Sequence, residues 1–247
     1  MQSTRIRVAA AFAMLALASG LLCAAAALLA GPAYRIEWLA LGAAFELLRW
    51  ATYGALGGAA VALLAAAMLL SARASRGRAL AAAALVLNAA IAGPPLYLYR
   101  QAQPLPKIHD ISTDTKDPPA FVAVLPLRKS ARNPVEYRAE TAAQQRLGYP
   151  DIAPLPLPVP PDQAFARAER AARAMGWEIV AVAPDALRIE GTATTLFFGF
   201  RDDVVIRIRA QGTGSVVDVR SLSRVGGSDV GANAQRVRKF LAQLAAS

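Results

Sequence analysis

The chain has 247 residues, 55% of them hydrophobic, 18% charged and 7% aromatic, which is too apolar for a disordered segment. One cysteine, Cys23, and one histidine, His109, leave no material for a disulfide, a Cys-rich metal centre or a multi-histidine site. The formal charge of +10 is uneven: residues 1–100 hold 8 Lys and Arg against 2 acids, residues 101–247 hold 19 against 15. Most of the excess therefore sits beside hydrophobic segments. The remainder lacks the basic runs interleaved with aromatics that nucleic-acid binding needs, so no nucleic acid is expected as a partner.

Three stretches carry no charge at all: 8–30, 50–72 and 79–99. Each is long enough to cross about 30 Å of hydrocarbon at about 1.5 Å per residue, so residues 1–100 read as a transmembrane region of three helices. Arg5 and Arg7 precede the first, and Arg73, Arg76 and Arg78 crowd the loop between the second and third. Positive loops stay in the cytoplasm, which sends whatever follows the third span to the periplasmic or extracellular side. Trp38, Trp50, Tyr53, Tyr97 and Tyr99 fall where an aromatic belt would sit.

The first stretch exceeds the 7–15 apolar residues of a signal peptide, and Leu22 stands before Cys23 where a lipoprotein signal wants a small residue. It is therefore expected to be retained, with cleavage as the alternative; either way the C-terminal domain lies outside. Gly54, Gly58, Ala62 and Ala66 form a small-residue stripe suited to helix packing within the chain, with self-association as the alternative. Residues 36–48 read as an interfacial helix, whose Glu37 and Glu46 are too far apart to make an acid pair.

Residues 101–119 are polar, with Pro and Asp, and read as a linker. Within it His109, Asp110, Asp114 and Asp117 match neither a calcium loop nor a zinc helix motif, so no metal or cofactor is expected. Residues 120–247 read as an α+β domain, divided by a Pro-rich stretch at 150–161. Asp162, after Pro160-Pro161, suits a helix N-cap, Phe165, Ala168, Ala172 and Met175 share one face, and Gly176 ends the helix.

Strand signals follow at 177–182 and 187–200, the latter bent at Gly191 or Gly199. Val204, Ile206 and Ile208 then alternate with Val205, Arg207 and Arg209, a pattern that shows arginines to solvent. Beyond a turn at Gln211-Gly212-Thr213-Gly214, Val217 and Val219 alternate with Asp218 and Arg220. Ser228-Asp229 opens a last helix with the stripe Val230, Ala234, Val237, Leu241 and Leu244. The expected fold is three transmembrane helices followed by a two-layer α+β domain: about four antiparallel strands with both helices packed on one sheet face.

Several strings in this domain are familiar in order. Ile189-Glu190 is followed by Ala193-Thr194-Thr195, and then by Phe200-Arg201-Asp202-Asp203-Val204-Val205-Ile206-Arg207. Next come Val217-Asp218-Val219-Arg220-Ser221-Leu222-Ser223-Arg224-Val225-Gly226 and Ser228-Asp229-Val230-Gly231-Ala232-Asn233. With Asp110-Ile111-Ser112-Thr113-Asp114 and Asp117-Pro118-Pro119 ahead of them, they make the region of about 107–245 resemble domain of unknown function 1499 (DUF 1499). That resemblance implies no activity and no catalytic residue. Other members carry cysteines near the position of Asn133-Pro134, and this chain has none there.

Chemistry sought directly from the residues is sparse. Asp202 and Asp203 are adjacent, so in a strand they point to opposite faces and share no proton. Ser221 and Ser223 share a face, with the one histidine far off in the linker. Arg224, Gly226-Gly227 and the helix start after them suggest an anion cradle for phosphate or a lipid headgroup, although Asp229 already occupies the positive helix end. The competing reading is an ionic brace among Arg220, Arg224, Asp203 and Asp229.

Candidate binding residues are thus Arg220, Ser223, Arg224, Asp229, Asn233 and Asp203, and none is catalytic. The expectation is an integral inner-membrane protein whose external domain is a binding or structural module of the cell envelope. Its expected partners are the bilayer together with an anionic lipid headgroup or an envelope protein. The alternative is an envelope hydrolase acting on lipid or cell-wall material, which would need Asp203, Arg220, Ser223 and Asp229 gathered in an open cleft.

Overall fold

The structure, a computed structural model, describes residues 2–70 and 74–246. It divides into two compact units after Gln103. The first holds helices α1 (Gln2–Arg35), α2 (Leu41–Leu69) and α3 (Ser75–Ala102), each long and apolar enough to cross a membrane. Small residues face inward: Ala13, Ala65 and Ala81 make one layer of the bundle, and Ala16, Ala62 and Ala84 the next. Larger apolar side chains such as Leu15, Leu22 and Leu63 point outward. Close backbone approach over small residues with large apolar groups outward is the packing that suits helices surrounded by lipid.

The small stripe of α2 packs within the chain. A Cβ added at Gly54 would meet Cys23 Sγ at 2.7 Å, and one at Gly58 would run into the Asn88 amide. Buried Asn88 in turn donates from Nδ2 to the carbonyls of Ala16 (3.0 Å) and Ala84 (2.8 Å), tying α3 to α1. Residues 36–48 are not a separate interfacial helix: a short turn after Arg35 leads directly into α2, which takes in Glu46 and its partner Arg49. Arg73 lies outside the described residues.

The second unit is an open, antiparallel sheet with helices. Its strands are β1 (Asp110–Ser112), β2 (Leu155–Leu157), β3 (Glu178–Ala183), β4 (Arg188–Thr194), β5 (Arg201–Gln211) and β6 (Gly214–Ser223), in the order β1-β6-β5-β4-β3. β2 follows β1 along the same edge of β6. Two of the six strands were not expected, and both are three residues long. A stretch so short has no readable alternation, and partners distant in sequence hold it in place. Residues 101–119, expected as a linker, therefore contribute β1 to the sheet, and α3 runs on through Ala102.

Helices α4 (Ala139–Gly148), α5 (Pro161–Ala174) and α6 (Ala232–Ala245) complete the unit. Pro161, with its preset φ, opens α5 in place of Asp162, and Gly176 at φ +73° ends it. Phe165, Ala168 and Ala172 of α5 and Val237, Phe240 and Leu244 of α6 cover one sheet face, meeting Ile189, Val204, Ile206, Val217 and Val219. Phe240, stacked on Trp177 at 5.5 Å between ring centroids, takes the central place that the pattern assigned to Leu241. Val230 lies ahead of α6 and is not part of its buried stripe.

The opposite sheet face does not look onto solvent. Phe121, Val124 and their neighbours lay residues 113–138 across it as a strap, against Val205 and Leu222. Arg207, expected in water, is only 20% exposed as a result.

Candidate functional site

The pleat sorts the candidate residues, because registered partners in an antiparallel ladder share a face. Asp203 pairs with Leu222 and Thr192, and Val205 with Arg220, which sets Asp203, Arg220 and Arg224 under the strap. Asp202 pairs with Ser223, and Val204 with Ser221, which turns those residues toward α6. Sequence proximity had suggested one cluster around β6. The structure makes two, back to back.

Under the strap, Arg224 donates from Nε to Asp203 Oδ2 at 3.0 Å and from Nη2 to Oδ1 at 2.7 Å. Its remaining nitrogen reaches the Leu127 carbonyl at 2.9 Å. Arg128 of the strap holds Asp203 from the other side, and Thr192 adds a hydroxyl at 2.8 Å. Burial works against the charge on Asp203, but these donors outweigh it and hold the carboxyl below its ordinary range. Asp203 is therefore an ionised acceptor with no proton to give.

Arg220 is consumed in the same way. Its Nε and Nη2 grip Asp110 of β1 at 3.0 and 2.7 Å, while Nη1 and Nη2 donate to the carbonyls of Pro119 and Val135. Phe121 and Tyr137 lie over its guanidinium at 5.0 and 5.3 Å. Every nitrogen of both Arg220 and Arg224 is bonded within the domain. An incoming anion would have to displace a carboxylate at either one.

Four more carboxylates complete this face. Glu190, wholly buried, accepts the backbone N–H groups of Val122, Ala123 and Val124 and the Nε of Arg188. Successive N–H groups of this kind form an anion nest, and Glu190 fills it from inside the protein. Asp218 accepts from Arg207 and Arg209, which also hold Asp114. Arg207 reaches Asp117 as well. The acids that looked like a loose cluster in a linker are thus partners of sheet arginines.

On the α6 side, Asn233 donates from Nδ2 to the His109 carbonyl at 3.0 Å and to Ser223 Oγ at 2.9 Å, and accepts from Ser221 Oγ at 2.7 Å. Arg236 joins Ser221 and pairs with Asp202 at 2.6 Å. Asp229 lies in the turn ahead of α6, two residues before its N-cap Gly231, and its two carboxylate oxygens accept the N–H of Gly231 at 2.8 Å and of Asn233 at 3.0 Å. Burial raises its pKa despite those bonds. Asp229 makes no ion pair with Arg220 or Arg224, so the expected four-member brace is really an Asp203–Arg224–Arg128 cluster, an Arg220–Asp110 pair and a separate helix cap.

His109 is nearer than its place in a linker suggested, since its carbonyl accepts the N–H of Ser223 at 3.0 Å. No hydrogen bond joins its imidazole to Ser223 Oγ, whose donor is Asn233. Among the described residues no three His, Cys, Asp or Glu converge as metal ligands.

Sequence reading missed Glu190, Arg128, Asp110 and Asp218. The available signal was charge complementarity across registered strands, such as Arg207 opposite Asp218, at positions that alternation alone assigns to water. No curated protein matches the sequence closely enough to lend it an activity. The profile of the family described as a protein of unknown function (DUF1499) matches residues 110–244, from the first residue of β1 into α6, and the chain belongs to that family.

Proposed function

We propose that this protein is an integral inner-membrane protein holding its α+β domain on the periplasmic side as a binding or structural module of the cell envelope. The observation that carries the module reading is the saturation of its polar groups: both arginines of the expected anion cradle are spent on internal acceptors, and Asp229 is spent on a helix. Saturated groups of this kind brace a fold. The reading of the membrane side is supported by charge, because Arg5, Arg7, Arg76 and Arg78 gather at one end of the bundle, whereas Arg35 and Arg49 at the other are balanced by Glu37 and Glu46. Its partners on this reading are the bilayer and an envelope component.

A phosphatase reporter that folds only in the periplasm, fused after Ser247 in a Gram-negative host, should be active. A fluorescent reporter that works only in the cytoplasm should be silent there, and the reverse result overturns the placement. The bracing role is tested by Arg224→Ala, which should cost about 1–3 kcal/mol, the usual penalty for leaving a buried partner short of a donor. Unchanged stability together with lost, salt-sensitive retention on anionic liposomes would make Arg224 a ligand-binding residue instead.

A further inference from the structure

We infer that the loop at 195–200, between β4 and β5, is a bilayer-seated tip by which the α+β domain rests on the membrane surface. The loop reads Thr-Leu-Phe-Phe-Gly-Phe. Its Leu196 is 91% exposed and Phe197 41% exposed. Such residues are unfavourable at the tip of a hairpin in water, where an exposed apolar patch marks a contact.

The tip is built rather than loose. The Thr195 N–H donates to the Phe200 carbonyl at 2.9 Å, the Thr195 hydroxyl accepts the Phe200 N–H at 2.9 Å, and the Thr195 carbonyl accepts the N–H of Gly199 at 3.0 Å. Gly199 sits at φ +67°, a conformation other residues rarely adopt. Phe198 stacks on Phe200 and meets Phe197 edge to face, each at 5.0 Å between centroids. Leu196 stands exposed next in the chain to these packed rings.

The placement of this tip singles out lipid as its occupant. Thr194 pairs with Arg201, Asp202 with Ser223, and Ser223 with His109, so the tip projects from the same end of the sheet at which the chain arrives. Residues 103–109 connect the apolar helix α3 to β1 and extend at most about 25 Å. Three strand spacings, about 14 Å, separate β1 from β4 across that end. A domain tethered so shortly to a membrane span keeps this end within reach of lipid.

Charge agrees. Lys107, Lys129, Arg132 and Arg201 are exposed about the same end, and none makes an ion pair among the described residues. Arg132 is fixed there by its N–H to the Arg224 carbonyl, which caps the end of β6. The exposed acids nearby are Glu178, at the start of β3, and Glu136 and Glu140, which line a cleft together with Lys107 and exposed Arg138. Aromatic and aliphatic groups ringed by cations suit an interface rich in anionic headgroups.

This inference goes beyond the module reading. It rests on insertion of α1–α3 and not on which side the domain occupies. The test uses the full chain in a Cys23→Ser background, reconstituted in nanodiscs of phosphatidylethanolamine and phosphatidylglycerol. Nitroxide labels are placed singly at Leu196→Cys, at Thr213→Cys in the hairpin at the far end of the sheet, and at Leu22→Cys, 72% exposed on α1. The readout is collision with oxygen against collision with a water-soluble nickel chelate.

Position 22 should read as deep in lipid, and position 213 as in water. Position 196 should favour oxygen several-fold over 213, at a depth of about 5–10 Å, where interfacial apolar surfaces lie. Lipid at 22 with water at 196 overturns the inference alone. Water at 22 overturns the membrane reading itself. Spin–spin broadening between labels at 196, without an oxygen preference, would assign the tip to a second copy of the chain and overturn the lipid assignment.

Discussion

Asp203 and Val204 are neighbours in β5 and equally buried, yet the chain treats their two sides of the sheet in opposite ways. On the helix side, Val204, Ile206 and Val219 meet Phe165, Val237 and Phe240 in an apolar core. On the strap side, Asp203, Arg207 and Arg220 meet Arg128, Asp117 and Asp110. Apolar contact is non-directional and forgives small shifts, whereas each guanidinium and carboxylate must find its partner within hydrogen-bond distance. The helices can therefore be held by area alone. The strap, which has Phe121 and Val124 as its main buried apolar groups, takes its path from where the ions stand.

The largest test of this difference is Asp203→Ala. Removing one carboxylate strands Arg128 and Arg224 in a dry site, which should cost about 3–5 kcal/mol. Urea unfolding of a fragment beginning at Pro104, followed through the fluorescence of Trp177, would measure it. Next door, Val204→Ala should cost about 2 kcal/mol, the transfer of two methyl groups plus a small cavity. A loss at position 204 equal to or larger than that at 203 would sink the proposed contrast between the faces.

Acid should separate them further. The pKa of Asp203 is lowered in the folded state, so its contribution is complete above the unfolded value of about 3.9. It is lost as the pH falls from there through the folded value, at up to about 1.4 kcal/mol per pH unit. Val204→Ala should keep this acid sensitivity, and Asp203→Asn should lose its share of it. Equal pH profiles for the two variants would mean that Asp203 is not held as an ionised acceptor.

The smallest effect belongs to Asp229, where the sign reverses. Its folded pKa is raised, so its contribution is present in acid and lost as the pH rises through the folded value. Asparagine keeps one of the two acceptor oxygens and sheds the buried charge, so Asp229→Asn should change stability at pH 7 by less than about 1 kcal/mol, the lost bond offsetting the relieved desolvation. A larger loss at pH 7, read from the same unfolding midpoint, would show that the negative charge itself supports α6.

Much of this was legible in the order of residues. Charge-free runs of spanning length marked α1–α3, alternation in β5 and β6 marked a hairpin, and Gly212 at φ +59° closes the turn that its sequence announced. Gly176 stopped α5 as expected, and adjacency alone placed Asp202 and Asp203 on opposite faces. These features share a cause: each is decided within a few residues by backbone sterics or by periodicity.

What lay beyond such reading depends on contacts far apart in the chain. Asp110 lies 110 residues from Arg220 and Glu190 lies 68 from Val122, and no local pattern states that they meet. An arginine alternating with valine has the same local signature whether its outer face looks on water or on a strap. Only the folded strap distinguishes the two cases, because it removes the solvent and leaves each charge to be satisfied by a partner of opposite sign. The sequence by itself therefore determined the three long apolar helices, the hairpin and the inward face of the sheet. The tertiary structure decided that the outward face is buried and charged, and that Arg220 and Arg224 are engaged within it.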